Sequence, residues 1–342
     1  MSASFSQLLA RLLGGEPVGA DDIRSAFDAI FAGDWTPIQV GGFVVALRMR
    51  GETAEQIVAA AEAMRAAMTP VAHALPVVVD TCGTGGDGSH SLNLSSASAI
   101  VVAAAGFPVA KHGNRSVSSK SGSADVYEAL GIPIDVPAGR QADVLRDAGI
   151  AFLFAPAHHP AMKHAAQARK ELGARTIFNA LGPLANPARA THQLLGVYDE
   201  HLRRVAAHAL AKLGTQRAWV VRSEDGLDEI SPSAPTLVSE LSDGVVRERV
   251  VEPEDFGIAR VPRDAIAGGD PQTNARVLLE ILEGAAHPAA GAVLLNAAAA
   301  IAVASGEGLR ESAERARAAI QSGATRETLD RWRRAAGRAR GS

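Results

Sequence analysis

The sequence predicts an α/β protein: a small helical domain followed by a larger α/β domain with a mainly parallel central sheet. Three observations predict it. Residues 1–72 carry apolar side chains at helical spacing with no strand pattern among them. From Pro76 onward, short β-branched runs alternate with alanine-rich segments, the rhythm of parallel strands joined by crossover helices. The final seventy or so residues return to helical patterning. A chain of 342 residues also exceeds the usual size of one hydrophobic core, so two domains are expected.

In the first domain, Phe5, Leu8, Leu9, Leu12 and Leu13 fall on one helical face, and Ile23, Phe27, Ile30 and Phe31 on a second. Pro37 behind Thr36 suits the first turn of a third helix, and Thr53 with Gln56 forms a capping box for a fourth, running to about Met68. In the α/β part, "PVVVD" reads as a strand ending at Asp80 and "SSASAIVVAAAG" as the following helix. The alternation continues through "FPVAK", "SADVYEALG", "IPIDV", "AGRQADVLRDAG" and "IAFLFAP", and resumes with "QLLGVYD", "LRRVAAHALAKLG" and "RAWVVRS". A helical patch at about 160–190 interrupts it. That patch is expected to rejoin the first helices, giving a helical domain of 1–72 plus about 160–190 and an α/β domain of 73–159 and 191–342. "AAGAVLLNAAAAIAVASGEG" contains Asn296 and reads as a buried helix rather than a membrane span. The basic terminus "RWRRAAGRARGS" reads as a solvated end.

Composition narrows the function. A net charge of -3 points to neither a nucleic-acid nor a membrane surface. The one cysteine, Cys82, cannot form an internal disulfide, and the first residues lack the pattern of a secretion signal, so a cytoplasmic protein is expected.

Chemistry concentrates at predicted strand ends. After the first strand, Gly83, Gly85 and Gly88 spell G-x-G-x-x-G, yet a dinucleotide site needs an acidic residue about 20 positions on. None occurs between Asp87 and Asp125, and no Gly-Lys-Ser/Thr follows to make a nucleotide P-loop. What remains is either an anion site built from backbone N–H groups and the helix N-terminus near Ser95 and Ser96, or a plain turn. The next strand ends in "KHGNRSVSSKSGSAD", bringing Lys111, Asn114, Arg115, Lys120 and a row of serines to the same edge. These supply donors and no carboxylate, as a phosphate would require; a solvated loop is the alternative. Asp228 and Glu229 follow the strand "RAWVV", where adjacent carboxylates suit magnesium shared with substrate phosphates, or an ordinary surface. The histidines in "HHPAMKH" have no metal-ligating spacing, and Cys82 reads as a buried thiol.

"GTGGD" at 83–87, "KHGNRSVSSKSGSADVYEALG" at 111–131, "ARKELGARTIFNALGPLANP" at 168–187 and "DGLDEIS" at 225–231 together resemble the anthranilate phosphoribosyltransferase family, in its order and spacing. The resemblance implies a nucleoside phosphorylase/phosphoribosyltransferase-like fold. It implies transfer of the 5-phosphoribosyl group from phosphoribosyl pyrophosphate to the amino group of anthranilate, with release of pyrophosphate, in tryptophan biosynthesis. It also implies a homodimer using Mg2+, two ions per site. By the same resemblance Gly83, Gly86, Asp87, Ser91, Asn93, Leu94, Ser95 and Ser96 wrap the phosphoribosyl pyrophosphate. Lys111, His112, Gly113, Asn114, Arg115, Ser116, Val117, Ser118, Ser119 and Ser123 complete the phosphate cradle. Gly83, Asn114 and Arg169 receive anthranilate, while Ser95 with Glu229, and Asp228 with Glu229, hold the metal. His159-Pro160 would shape the acceptor pocket.

The chain departs from the family pattern at "SLNLSS", where Leu92 replaces the usual aromatic residue. Arg169 suits a bidentate grip on a planar carboxylate, although Lys163, Arg169 and Lys170 also fit a basic helix face. Other readings of the chain are a nucleoside phosphorylase-like enzyme, a phosphoribosyltransferase with another aromatic acceptor, and a non-catalytic nucleotide-binding protein.

Overall fold

The computed structural model describes residues 4–116 and 120–341. Four helices open the chain: α1 (Phe5–Gly14), α2 (Ala20–Ala32), α3 (Pro37–Arg50) and α4 (Ala54–Ala66). Ser4, Thr36 and Thr53 each accept from the backbone N–H three residues on, and Gln7, Gln39 and Gln56 reciprocate, so capping boxes fix three of the four starts. Ile23, Phe27, Ile30 and Phe31 are buried, as are Leu8 and Leu12, but Leu13 is 74% exposed. Five residues beyond Leu8, it points about 140° away from it around the helix.

The sheet follows, with β1 (Val79–Gly83), β2 (Val109–Gly113), β3 (Ile150–Phe154), β4 (His192–Gly196), β5 (Arg217–Ser223), β6 (Thr236–Ser242) and β7 (Val245–Val251) in the order β3-β2-β1-β4-β5-β6-β7. The first five in that order are parallel and the last two pairings antiparallel. Two expectations are corrected here, and one hairpin is added. β1 runs on to Gly83 instead of ending at Asp80, because Thr81 and Cys82 continue the ladder opposite Leu194 and Leu195. "IPIDV" forms no strand: Pro133 and Pro137 lack ladder donors, and Ile132, Ile134 and Val136 enter the core from irregular backbone. The β6–β7 hairpin was not foreseen, although its turn, Asp243 (φ 53°) and Gly244 (φ 74°), is an Asp-Gly hairpin signal.

Helices cover both sheet faces. They are α5 (Leu94–Ala104), α6 (Ser123–Ala129), α7 (Gln141–Ala148), α8 (Ala155–His158), α9 (Lys163–Leu172), α10 (Ile177–Leu184), α11 (Glu200–Lys212), α12 (Pro271–Leu282), α13 (Ala290–Ser305), α14 (Leu309–Gln321) and α15 (Ala324–Arg340). Successive strand residues feed opposite cores, as a period of two requires. Leu194, Trp219 and Val221 join α5, α7, α13 and α15, whereas Leu195, Ala218 and Val220 join α10, α11 and the N-terminal helices. α9 packs on α2 and α3, and α10 on α4. The basic C-terminal segment is a packed helix, not a solvated end. Trp332 of α15 meets Tyr127 edge-on at 4.9 Å, and Ala335, Ala336 and Ala339 are buried, leaving the arginines on the outer face. Among the described residues no single helix is long and apolar enough to cross a membrane.

A buried polar knot joins the sheet to the helices at 163–187. Asp80, fully buried, accepts from the His112 backbone N–H (3.1 Å) and from Asn186 Nδ2 (2.8 Å), which also donates to the Ala110 carbonyl. Burial pushes the Asp80 carboxyl up, and Lys111 and these bonds pull it back. Beside the knot, the rings of His112 and His159 lie 5.0 Å apart. His112 Nδ1 donates to the Gly182 carbonyl and His158 Nδ1 to that of Thr69, but the Nε2 atoms of all three histidines find no partner among the described residues.

Burial therefore holds these imidazoles neutral, with His159 lowered from 6.5 to about 4 and His112 and His158 also lowered. A depressed value means that the unfolded chain binds the proton first. The contribution to stability is complete above pH 6.5 and is lost as pH falls toward about 4. For His159 alone that loss is about 3 kcal/mol. Urea unfolding across this window should show a falling midpoint, with a shallower fall in His159→Gln; equal slopes in the two proteins would contradict the assignment.

Candidate active site

Three of the parallel strands end in glycine, and two of those glycines, Gly83 of β1 and Gly196 of β4, are paired in register. Asp228 lies flush against them. A Cβ on Gly83 would stand 2.8 Å from Asp228 Oδ2, and one on Gly196 would overlap the Asp228 carbonyl. β1 and β4 flank the position where strand order reverses, the crevice in which open α/β sheets hold ligands.

The glycine loop arches from this edge. Gly85, Gly86 and Gly88 all have positive φ, a conformation that a residue without a side chain adopts at no steric cost. Thr84 N–H donates to the Gly196 carbonyl (2.9 Å), and Gly85 N–H to Asp228 Oδ2 (2.8 Å). Asp87 Oδ1 accepts from the N–H and hydroxyl of Ser89, and its other oxygen lies 3.4 Å from the Asp228 N–H. At the far end, Glu229 Oε1 accepts from Ser95 N–H (3.1 Å) in the first turn of α5. Asn296, the polar residue in the apolar α13, clamps the next residue from behind: its Oδ1 accepts from Ile230 N–H (2.9 Å) and its Nδ2 donates to the Ile230 carbonyl (3.0 Å).

Crowding of like charge governs the electrostatics. Burial and then Asp87 push the Asp228 carboxyl up. Burial and then Asp228 push Glu229 up to about 8, against the pull of Lys111. An added cation would restore both to full ionisation. No set of three or more carboxylate, imidazole or thiol groups encloses a common point among the described residues. The oxygen donors therefore fit a magnesium ion that completes its shell with water and ligand phosphates, rather than a closed protein cage.

The other sequence-predicted residues divide into two groups. Gly83, Gly86, Asp87, Ser95 and Lys111 gather with Asp228 and Glu229 along this edge. Lys111, 2% exposed, donates to the Thr81 carbonyl and reaches Ser95 Oγ at 3.4 Å. Asn114 is exposed, and its carbonyl accepts from the Ser123 hydroxyl; Ser116 donates its N–H to Asp125. Gly113 is bare because a Cβ would strike Ser123 and Phe152.

The second group is turned away or already committed. Arg115 pairs with Asp125 (2.8 Å) and Glu128 (2.6 Å), so the first carboxylates after the long acid-free stretch neutralise it. Asn93 Oδ1 accepts from Asn274 Nδ2 (2.9 Å) and Ser121 Oγ, and its own Nδ2 donates to the Ser121 carbonyl. Ser91 bridges to Ala267, while Leu94 and the Ser96 hydroxyl face the core. The His112 ring is buried with His159. Val117, Ser118 and Ser119 lie outside the described residues. Leu92, the departure from the family pattern, is 3% exposed in the main core. Arg169 stands on α9 with its guanidinium 5.6 Å from the centre of the Phe178 ring, and among the described residues no carboxylate pairs with it.

Sequence reasoning missed Gly196, Asn274, Asn296 and Arg175 as parts of this region. A glycine closing the strand run "QLLG" and an asparagine inside an alanine helix were the available signals for two of them.

Two family models match in tandem: the glycosyl transferase family helical bundle domain over residues 6–68 and the glycosyl transferase family a/b domain over residues 75–326. The chain is 47% identical over 328 residues to the anthranilate phosphoribosyltransferase of Myxococcus xanthus, covering 95% of this chain and 97% of that one. It is 50% identical over 323 residues to the enzyme of Azospirillum brasilense, covering 94% and 90%. Among solved structures it superposes on anthranilate phosphoribosyltransferase from Thermus thermophilus with a TM-score of 0.91, at 39% identity over 96% of this chain and 99% of that one. The Saccharomyces cerevisiae enzyme in complex with PRPP and Mg gives 0.90 at 29% identity, covering 98% of each chain. With both domains matched and the sequence shared over nearly its whole length, the chain belongs to the anthranilate phosphoribosyltransferase family of glycosyl transferases.

Proposed function

We propose that the protein transfers the 5-phosphoribosyl group of phosphoribosyl pyrophosphate to the amino group of anthranilate, in tryptophan biosynthesis. The observation that carries this is the bracing of the glycine loop: Asp228 accepts from Gly85 at its start and Glu229 from Ser95 beyond its end. That bracing sets a glycine loop and the first turn of a helix, an anion-binding combination, beside two hard-cation ligands.

In the reaction the aryl nitrogen forms a bond to C1 of the ribose as the bond from C1 to pyrophosphate breaks, its electron pair leaving on pyrophosphate. The amine then gives up a proton to solvent or product. An aryl amine is neutral near pH 7, so no strong base has to free its lone pair, and positioning dominates. Ser95, Asp228 and Glu229 would hold magnesium, two ions in our reading, which supplies positive charge to the departing pyrophosphate. The glycine-loop N–H groups and the α5 N-terminus aim fixed dipoles at the same charge. Lys111 adds a buried ammonium beneath Ser95. Arg169 and Asn114 would orient the anthranilate carboxylate and ring. We assign α9 and α10 to the helical domain, so that acceptor and donor enter from different domains. A second copy would pack on α1 and α3, which expose Leu13, Ile38 and Met49.

Loss of anthranilate fluorescence in the presence of phosphoribosyl pyrophosphate and magnesium tests the reaction. Glu229→Gln should lower kcat/KM on the order of 10²-fold. Arg169→Ala should act mainly on the KM for anthranilate. Turnover only with another aromatic amine would keep the donor site and overturn the acceptor. Gly196→Ala should fold yet displace Asp228, raising the magnesium concentration for half-maximal rate about tenfold or more; an unchanged magnesium curve would contradict the packing argument. Ile38→Glu should convert a dimer into a monomer in sedimentation; a parent protein that sediments as a monomer would remove the dimer.

A further inference from the structure

Arg175 lies in the short link between α9 and α10, six residues beyond Arg169. Its guanidinium is stacked 4.1 Å from the centre of the Tyr198 ring. It also packs on the glycine loop: a Cβ on Gly86 would stand 3.0 Å from both Nε and Nη2 of Arg175. Gly86 has a φ of 79°, so backbone shape favours the bare residue there, and a side chain would also crowd the Arg175 guanidinium. Tyr198 is itself fixed. Its N–H donates to Thr84 Oγ1 at the root of the same loop, and its carbonyl accepts from Arg222. The following residue, Asp199, pairs with Arg48 of α3. A line of contacts thus runs from the N-terminal helices through Asp199, Tyr198 and Arg175 to Gly86. Among the described residues Arg175 has no carboxylate partner, so stacking sets the plane of its guanidinium and leaves its N–H edge unspent.

We propose that Arg175 is a positioning residue for the donor: it clamps the glycine loop from the side of the acceptor helices and links the segment that carries Arg169 to the loop that takes phosphoribosyl pyrophosphate. The inference rests on the donor reading above and assigns Arg175 and Tyr198 one shared role. Guanidinium suits this place because its flat face stacks on the Tyr198 ring while Nε and Nη2 lie close to bare Gly86. A lysine ammonium keeps the charge and loses the plane.

The test is calorimetric binding of phosphoribosyl pyrophosphate with magnesium to the full chain, alongside steady-state kinetics. Arg175→Ala and Arg175→Lys should both weaken donor binding about tenfold, with kcat much less affected. Tyr198→Ala should produce a similar loss, and the double variant Arg175→Ala/Tyr198→Ala should be no weaker than either single change, because one stacked unit has been removed. Donor affinity unchanged in Arg175→Ala, or strictly additive losses, would overturn the proposal. If Arg175→Ala does not fold, Arg175→Lys and Tyr198→Ala carry the same comparison. A parent that binds the donor but does not consume anthranilate would sink the acceptor assignment and leave the clamp standing or falling on the binding data. A parent that does not bind the donor would overturn both.

Discussion

The site depends on close contact between one carboxylate residue and two strand ends without side chains. Asp228 can reach Gly85 and hold Glu229 against Ser95 only because Gly83 and Gly196, paired across β1 and β4, leave the sheet edge bare. Any larger residue at Gly196 would take the space of the Asp228 backbone. The reversal of strand order opens the crevice, the glycines let backbone enter it, and Asn296 fixes the entering segment from the far side.

That closeness has an electrostatic cost, which follows from geometry. Asp87, Asp228 and Glu229 share one edge with Lys111, and burial with like-charge crowding pushes the Asp228 and Glu229 carboxyls toward neutrality. Their strain is relieved by cations, whereas the acid-free stretch from Gly88 to Ala124 suits anions. A metal-bound polyphosphate is the kind of ligand that answers both halves at once. The arginine nearest in sequence, Arg115, is already paired with Asp125 and Glu128, so positive charge beside the glycine loop comes instead from buried Lys111, from Arg175 stacked on Tyr198, and from backbone dipoles.

Much of the architecture was legible because periodicity reports burial. The helix start at Thr36-Pro37, the capping box at Thr53, the strands at 109–113 and 150–154, and the buried helix around Asn296 follow from local pattern. Pattern failed where local and distant demands diverge. "IPIDV" has strand-like side chains but prolines at 133 and 137, and the arginines of 331–340 conceal a buried stripe of Trp332 and alanines. The candidate site was legible as residue types placed at strand ends. Its supports were not, because Asn274 reaches Asn93 across 181 positions and Asn296 reaches Ile230 across 66. No local signal encodes such a pair.

The most direct test of the carboxylate edge is a crystal structure with phosphoribosyl pyrophosphate and manganese in place of magnesium, read by anomalous scattering. The expected result is a manganese peak within bonding distance of Glu229 or Asp228, with phosphate density between the glycine loop and the segment after β2. A strong manganese peak away from these carboxylates, with the donor phosphates ordered elsewhere, would contradict the assignment of this edge as the donor site.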